Sequence, residues 1–335
     1  MLAHPRGGGP AVAELQADIL SYGFRVNAPG SLSATLALGL EGADRSVLDP
    51  GRTELSVVRN GQTVWAGPLM TVSEDWSSRQ LRLGAEGLLA YPRKWHVTED
   101  LVHKQVDQAL ILKSLVDHHQ NKAGGDFGLD TSSLTAHGVR RDRTYPGYEL
   151  KNVYEAMVQL AEVQNGFHLE VDPATRKVLA HYPRKGRRRP STVFDDRCIR
   201  SFTRDLDATA QASQVLAVGA GEGDDMLRAS RQNSSAVATY GLTQSVIVDK
   251  DVSIASTLVG KAQYRLDGAR TVPNVIRLVA GTDDPPLFSW GINDEVRIVW
   301  DSPYDPVDEF QLVIGFDVTF RDGEESVTLY TEPLS

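Results

Sequence analysis

Apolar and polar residues alternate along the first third of the chain. Ala13, Leu15, Ala17 and Ile19 are interleaved with Glu14, Gln16 and Asp18, the period of a strand with one buried face. Leu36, Leu38 and Leu40 repeat the pattern after a Pro29-Gly30 turn. A run from Leu55 to Arg59 meets Asn60-Gly61 and continues as Thr63-Val64-Trp65. Asn-Gly between two such runs predicts a tight hairpin, because both residues accept positive φ. Leu81 and Leu83 extend the alternation beyond a Ser77-Ser78 turn. These pieces predict a small antiparallel sheet curling into a barrel.

The period changes near Trp95. Ala109, Leu110, Leu112, Leu115 and Val116 suit one face of a helix from Asp107 to about His119. The Gly/Asp/Ser-rich stretch from Lys122 to Ser133 reads as loop. A second helix is expected from Asn152, with Glu155 in a capping-box position. Val153, Ala156, Met157, Leu160 and Ala161 form its buried face, and Asn165-Gly166 is its expected stop. Phe167 to Val171 and Val178 to Tyr182 read as a hairpin across Asp172-Pro173.

Strands return in the last third at Val215–Val218, Val275–Ala280, Val296–Trp300, Leu312–Phe320 and Val327–Thr331. The final two flank Asp322-Gly323, a second hairpin dipeptide. One helix, Ser253 to Leu266, interrupts them and is expected to stop at Asp267-Gly268. The expected class is α+β, mainly β. Its parts are a flexible arm (1–10), a first β module (11–95), an α+β insertion (96–200) and a second β module with one helix (201–335). No short-period repeat is visible.

Composition narrows the function classes. At 335 residues the chain is long enough for about two or three domains. Hydrophobic residues make up 41% and charged residues 24%, values of an ordinary folded protein. A net charge of −9 argues against ordinary duplex binding, though not against a surface past which DNA must slide. Cys198 is the single cysteine, so neither an internal disulfide nor a thiolate cluster is available. It reads as a small, partly buried thiol. No apolar window is long enough to span a bilayer, and Met1 to Pro10 lacks the apolar stretch of a signal peptide. Synthesis and folding in a cytoplasm are therefore expected.

Several residues carry a family resemblance. The run Val58-Arg59-Asn60-Gly61-Gln62-Thr63-Val64-Trp65-Ala66-Gly67 is followed two strands later by Gly84-Ala85-Glu86-Gly87-Leu88-Leu89-Ala90-Tyr91. Together they resemble the first barrel of siphophage tail-hub proteins, which are similar to the baseplate hub of contractile-tailed phages. Asp107-Gln108-Ala109, Leu160 to Phe167, Tyr240-Gly241, the segment Trp290 to Val296 and the closing strands follow in the family's order. The likeness runs from about Ala11 to Pro333.

The resemblance implies two tail-tube-like β-barrel modules per subunit and a homotrimer forming a pseudo-sixfold ring that caps the tail tube. The implied neighbours are the distal tail protein and tube above, the tape-measure protein, and downstream tail-tip or receptor-binding proteins. Viral DNA would pass the lumen without sequence-specific binding. Many relatives continue into a hydrolase or receptor module; here the chain stops at Ser335, so none is expected. The family has no fixed catalytic residues to carry over.

The residues themselves offer little chemistry. His118-His119, with His103 upstream, is the most metal-like group, but neighbouring helical histidines point about 100° apart. Gly219-Ala220-Gly221-Glu222-Gly223 resembles a phosphate loop, yet Glu222, Asp224 and Asp225 would repel an anion, so a flexible loop or hairpin crossing is expected. The run Arg184-Lys185-Gly186-Arg187-Arg188-Arg189 has almost no interleaved aromatics and reads as a solvated or partner-facing loop. The pairs Glu99-Asp100, Asp195-Asp196, Asp224-Asp225, Asp283-Asp284 and Asp294-Glu295 could serve a glycosidase. Their neighbouring Gly and Pro residues favour turn chemistry. Trp65, Trp290 and Trp300 read as core or subunit-interface residues.

The expectation is a non-catalytic hub at the virion tail tip, with no catalytic, metal or cofactor residues and a mainly negative lumen. A tail-associated peptidoglycan hydrolase using Asp/Glu pairs and a baseplate carbohydrate-binding protein are the alternatives.

Overall fold

The computed structural model describes residues 1–250, 252–272 and 274–334. Its first part contains β1 (Leu2–Pro5), β2 (Ala13–Glu14), β3 (Asp18–Arg25), β4 (Ser31–Ala37), β5 (Thr53–Arg59), β6 (Gln62–Asp75) and β7 (Gln80–Glu86). The alternation sets which side chains turn inward: Leu32, Ala34 and Leu36 on β4 and Leu81, Leu83 and Ala85 on β7 are buried. Asn60 and Gly61, at φ 52° and 75°, close the β5–β6 hairpin as expected. Two expectations change. The residues read as a flexible arm form β1, paired antiparallel to β5 with Ala3 fully buried. The strand through Leu36 ends at Ala37, because Gly39 turns at φ 88° and leaves Leu40 exposed.

A short 3-10 helix, Leu88–Lys94, leads into the insertion. There β8 (Leu101–Asp107) enters α1 (Gln108–Gln120), and β9 (Arg140–Tyr145) precedes α2 (Val153–Ala161), β10 (His168–Val171) and β11 (Val178–His181). Both helices start on side-chain caps. The Asp107 carboxylate accepts from Ala109 N at 3.0 Å, and Asn152 Oδ1 accepts from Glu155 N at 3.1 Å. The expected face of α2 is the buried one: Val153, Ala156, Met157, Leu160 and Ala161 all pack into the insertion's own core around Trp95. Each large side chain buried there contributes roughly 1.5–3 kcal/mol. The helix ends at Ala161, one turn before Asn165-Gly166, and Gly166 N bonds instead to Val163 O at 2.7 Å.

The last part runs β12 (Arg188–Phe194), β13 (Ile199–Leu206), β14 (Gln214–Val218), β15 (Arg228–Gln232), α3 (Ser234–Tyr240), β16 (Gln244–Val248), α4 (Ala255–Ala269), β17 (Asn274–Ala280), β18 (Glu295–Trp300), β19 (Val307–Arg321) and β20 (Glu324–Pro333). β13 and β17 pair with each other, so the segment between them is an excursion. It forms a small sheet, β15-β14-β16, on which Val215 and Ala217 pack against Leu258, Ala262 and Leu266 of α4. Burial of Ala269 carries α4 through the expected stop at Asp267-Gly268 to Ala269.

The β segments at the two ends of the chain meet where β3 pairs antiparallel to β19, with Phe24 opposite Phe316 and Tyr22 opposite Val318. One thirteen-stranded sheet results, ordered β13-β17-β20-β19-β3-β4-β7-β6-β5-β1-β2, with β18 on β19 and β12 parallel to β18. Leu55 and Leu69 from the first part share one core with Phe194, Ile276 and Phe316 from the last. The class is α+β, mainly β, with 44% strand and 18% helix. Among the described residues the pairings do not close into a ring. On β13, which ends the strand order, Arg200 and Arg204 pair with Glu324 and Asp305, charges of the kind that blunt an exposed strand.

Candidate functional site

Two features singled out separately in the sequence meet in space. The basic run leads into β12, and β12 lies parallel to β18, which begins with Glu295. Arg184 pairs with Glu295, and Arg188 Nε reaches Glu295 Oε2 at 3.1 Å while its guanidinium lies over the Phe310 ring. Arg189 Nε donates to Asp294 Oδ2 at 3.0 Å, and Lys185 Nζ reaches Glu170 Oε2 at 2.7 Å. Asp294, only 4% exposed, also accepts from Arg187 N and Gly291 N. The pair Asp294-Glu295 therefore engages three cations of the basic run, and Glu170 a fourth. Of the run's five cations, the Arg187 side chain is the one with no ion pair among the described residues.

The histidines are placed apart. His118 Nε2 accepts from Thr98 N at 3.1 Å and from Lys122 Nζ at 3.0 Å. His119 stacks on Trp95, with ring centroids 4.4 Å apart. Burial, and then the Lys122 charge, lowers the proton affinity of both. His103 lies on β8. Among the described residues no group of three or more His, Cys, Asp or Glu is arranged to hold a metal ion.

The other sequence candidates sit in structural roles. Asp195 binds Arg197, and Asp100 Oδ1 accepts from Gly147 N at 2.8 Å. Asp224 and Asp225 lie in the connection between β14 and β15, the antiparallel crossing expected for the Gly219–Gly223 segment. Cys198 is half-buried, with burial pushing its thiol pKa up. Trp65 and Trp290 are core residues, and Trp300 stacks on Phe202.

A buried polar centre was not visible in the sequence. Glu54, on β5 and 2% exposed, accepts from Arg176 Nη1 and Nη2, from the Tyr91 hydroxyl and from Gly7 N. Arg176 also donates to the carbonyls of Phe127 and Gly128. Burial, then the Glu54 charge, raises the Tyr91 pKa well above the ordinary phenol range, so Tyr91 stays a donor. These bonds tie β1, the first sheet and the insertion into one unit. The sequence signal was a Glu beside Leu55 in a strand with a buried face.

The surface carries several exposed apolar groups. Trp76 at the β6–β7 turn, Tyr148 after β9 and Tyr304 before β19 are the most exposed aromatics. Val246 and Val248 stand out from β16.

The whole arrangement is similar to solved phage tail proteins. A tail protein from Neisseria meningitidis MC58 aligns over 99% of this chain and 96% of its own length, with a TM-score of 0.66 and 17% identity. The 43 kDa tail protein of prophage MuSo2 from Shewanella oneidensis covers 98% and 97%, with a TM-score of 0.65 and 12% identity. The E. coli c3393 protein is a type VI secretion component with structural similarity to the T4 bacteriophage tail proteins gp27 and gp5. It aligns over 97% of this chain and 76% of its own, with a TM-score of 0.51 and 10% identity. No protein-family model matches the chain, and no curated protein does either. The chain thus has a tail-hub-like fold, shared with phage tail proteins over nearly its full length.

Proposed function

We propose that the protein is a structural subunit of a phage tail tip or baseplate, a hub that caps the tail tube. The observation that carries this reading is the end-to-end likeness to solved tail proteins, which includes the insertion as well as the sheet. The shared sheet supports it physically. Joining both ends of the chain at β3–β19 makes one stiff wall segment, and three such subunits would supply a ring. The ring closes the tube during assembly, then lets the tape-measure protein and DNA through. Its immediate neighbours are the distal tail protein above and tip or receptor-binding proteins below. The net charge of −9 favours a mainly negative lumen that DNA slides past without sticking.

Immunogold labelling of intact particles tests the location: label confined to the tail tip is expected, and tips free of label would overturn it. Averaged images of the labelled tip should then show threefold symmetry, and a basic lumen would remove the charge argument.

A further inference from the structure

The cations of the basic run end almost entirely on carboxylates. Lys104 on β8 and Arg143 on β9 are different. Among the described residues neither has a carboxylate at ion-pair distance, and the Arg143 guanidinium donates to the Asp142 backbone carbonyl at 3.0 Å.

Both line one cavity of about 380 Å³ between the β8–β9 ribbon and the start of α4. Three cations, Lys104, Arg143 and Lys261, face two carboxylates in its lining, and both carboxylates bond to groups other than Lys104 and Arg143. Asp249 pairs with Lys261, and Asp142 accepts from Gln105 N and Nε2, each at 2.8 Å. On the same wall His103 Nε2 is buried with no hydrogen-bond partner, and burial lowers that imidazole's pKa, so it sits neutral. Thr257 adds a hydroxyl. Arg141, two residues before Arg143 on β9, adds positive charge nearby: burial, then the Arg143 charge, lowers its pKa. The first turn of α4 contains no acidic residue to offset any of this.

We propose that this cavity binds an oxyanion, a phosphate or a carboxylate group, held by Lys104 and Arg143 with Thr257 as a further donor. An arginine fork matches two oxygens of such a group, and an ammonium opposite it supplies a point charge. The volume falls within the roughly 300–1,000 Å³ typical of ligand pockets, so the oxyanion is the head of a larger group.

Titration calorimetry with inorganic phosphate, and separately with glutarate, at constant ionic strength tests this on the full chain. Saturable one-site binding is expected, weakened about tenfold or more by Lys104→Met and by Arg143→Met. Arg187→Met, which removes an exposed cation elsewhere, should leave it unchanged. Circular dichroism checks that each variant is folded, and Lys104 is exposed enough to be replaced without touching a core. Preference for phosphate identifies a phosphoryl source; equal or tighter glutarate binding identifies a carboxylate source. No saturable binding of either probe, or equal binding by the Lys104 and Arg143 variants, overturns the proposal.

Discussion

Arg176 and Glu54, 122 residues apart in sequence, form a two-pronged ion pair inside the protein, Nη1 to Oε2 at 2.6 Å and Nη2 to Oε1 at 3.1 Å. The side chains are 16% and 3% exposed, so water cannot replace either partner. A buried pair is weak evidence for net stabilisation, but removing one member leaves an uncompensated charge.

Glu54→Gln should therefore cost about 3–5 kcal/mol in urea unfolding, the range for breaking a buried pair. The double variant Glu54→Gln/Arg176→Met should recover a large part of that loss, because no buried charge is then stranded. Additive losses in the double-mutant cycle would show that the pair does not act as a unit.

Stability should fall in mild acid. Burial pushes the His168 imidazole down to about 4 from its ordinary 6.5, with its Nδ1 buried and unpartnered. The unfolded chain then binds a proton that the folded chain does not, so stability drops as pH falls from 6.5 toward 4. Between pH 7 and 5 the loss from this residue is about 2 kcal/mol. His168→Leu should flatten the urea midpoint over that interval; an unchanged slope would rule His168 out as its source. Below it Glu170 takes over. Burial alone would raise its pKa, but hydrogen bonds and charge from His181 and Lys185 outweigh burial and hold it at about 2. Its contribution is present above 4.5 and is lost as pH falls toward 2.

Local signals in the sequence carried most of the helices and hairpins. Asn152 with Glu155 marked the start of α2, and Asn60-Gly61 and Asp322-Gly323 marked two turns, because caps and turns depend on a few neighbouring residues. Periodicity missed β1, β8, β9, β12, β13, β15 and β16, in which most residues are polar or exposed; β15 reads Arg-Ala-Ser-Arg-Gln. Their pairing comes from partners far away, which a two-residue period cannot report. The same holds for β3 on β19 and for Glu54 on Arg176. The basic run and Asp294-Glu295 were each visible, but their pairing depends on the parallel register of β12 and β18.

That pairing makes a prediction about polyanions. The protein should elute early from heparin, since Arg187 is the one cation of the run without an ion pair. Asp294→Asn combined with Glu295→Gln releases Arg184, Arg188 and Arg189 and should move elution to clearly higher salt. Unchanged elution would mean that those side chains are already available to ligands.

Two glycines separate strain from collision. A Cβ on Gly61 would meet no atom within 4 Å, so Gly61→Ala carries only the penalty of φ 75°, about 1–2 kcal/mol. On Gly67 of β6 the same atom would fall 1.8 Å from Glu86 O, a backbone atom that cannot swing aside. Relief would require β6 to move away from the end of β7, disturbing the sheet that holds the shared core. Gly67→Ala should therefore lose about 4 kcal/mol or more, or fail to give soluble protein. Urea midpoints for the two variants check the ordering. Equal midpoints would mean that the chain relaxes at Gly67 without a cost, and that β6 and the end of β7 are not held as closely as the backbone places them.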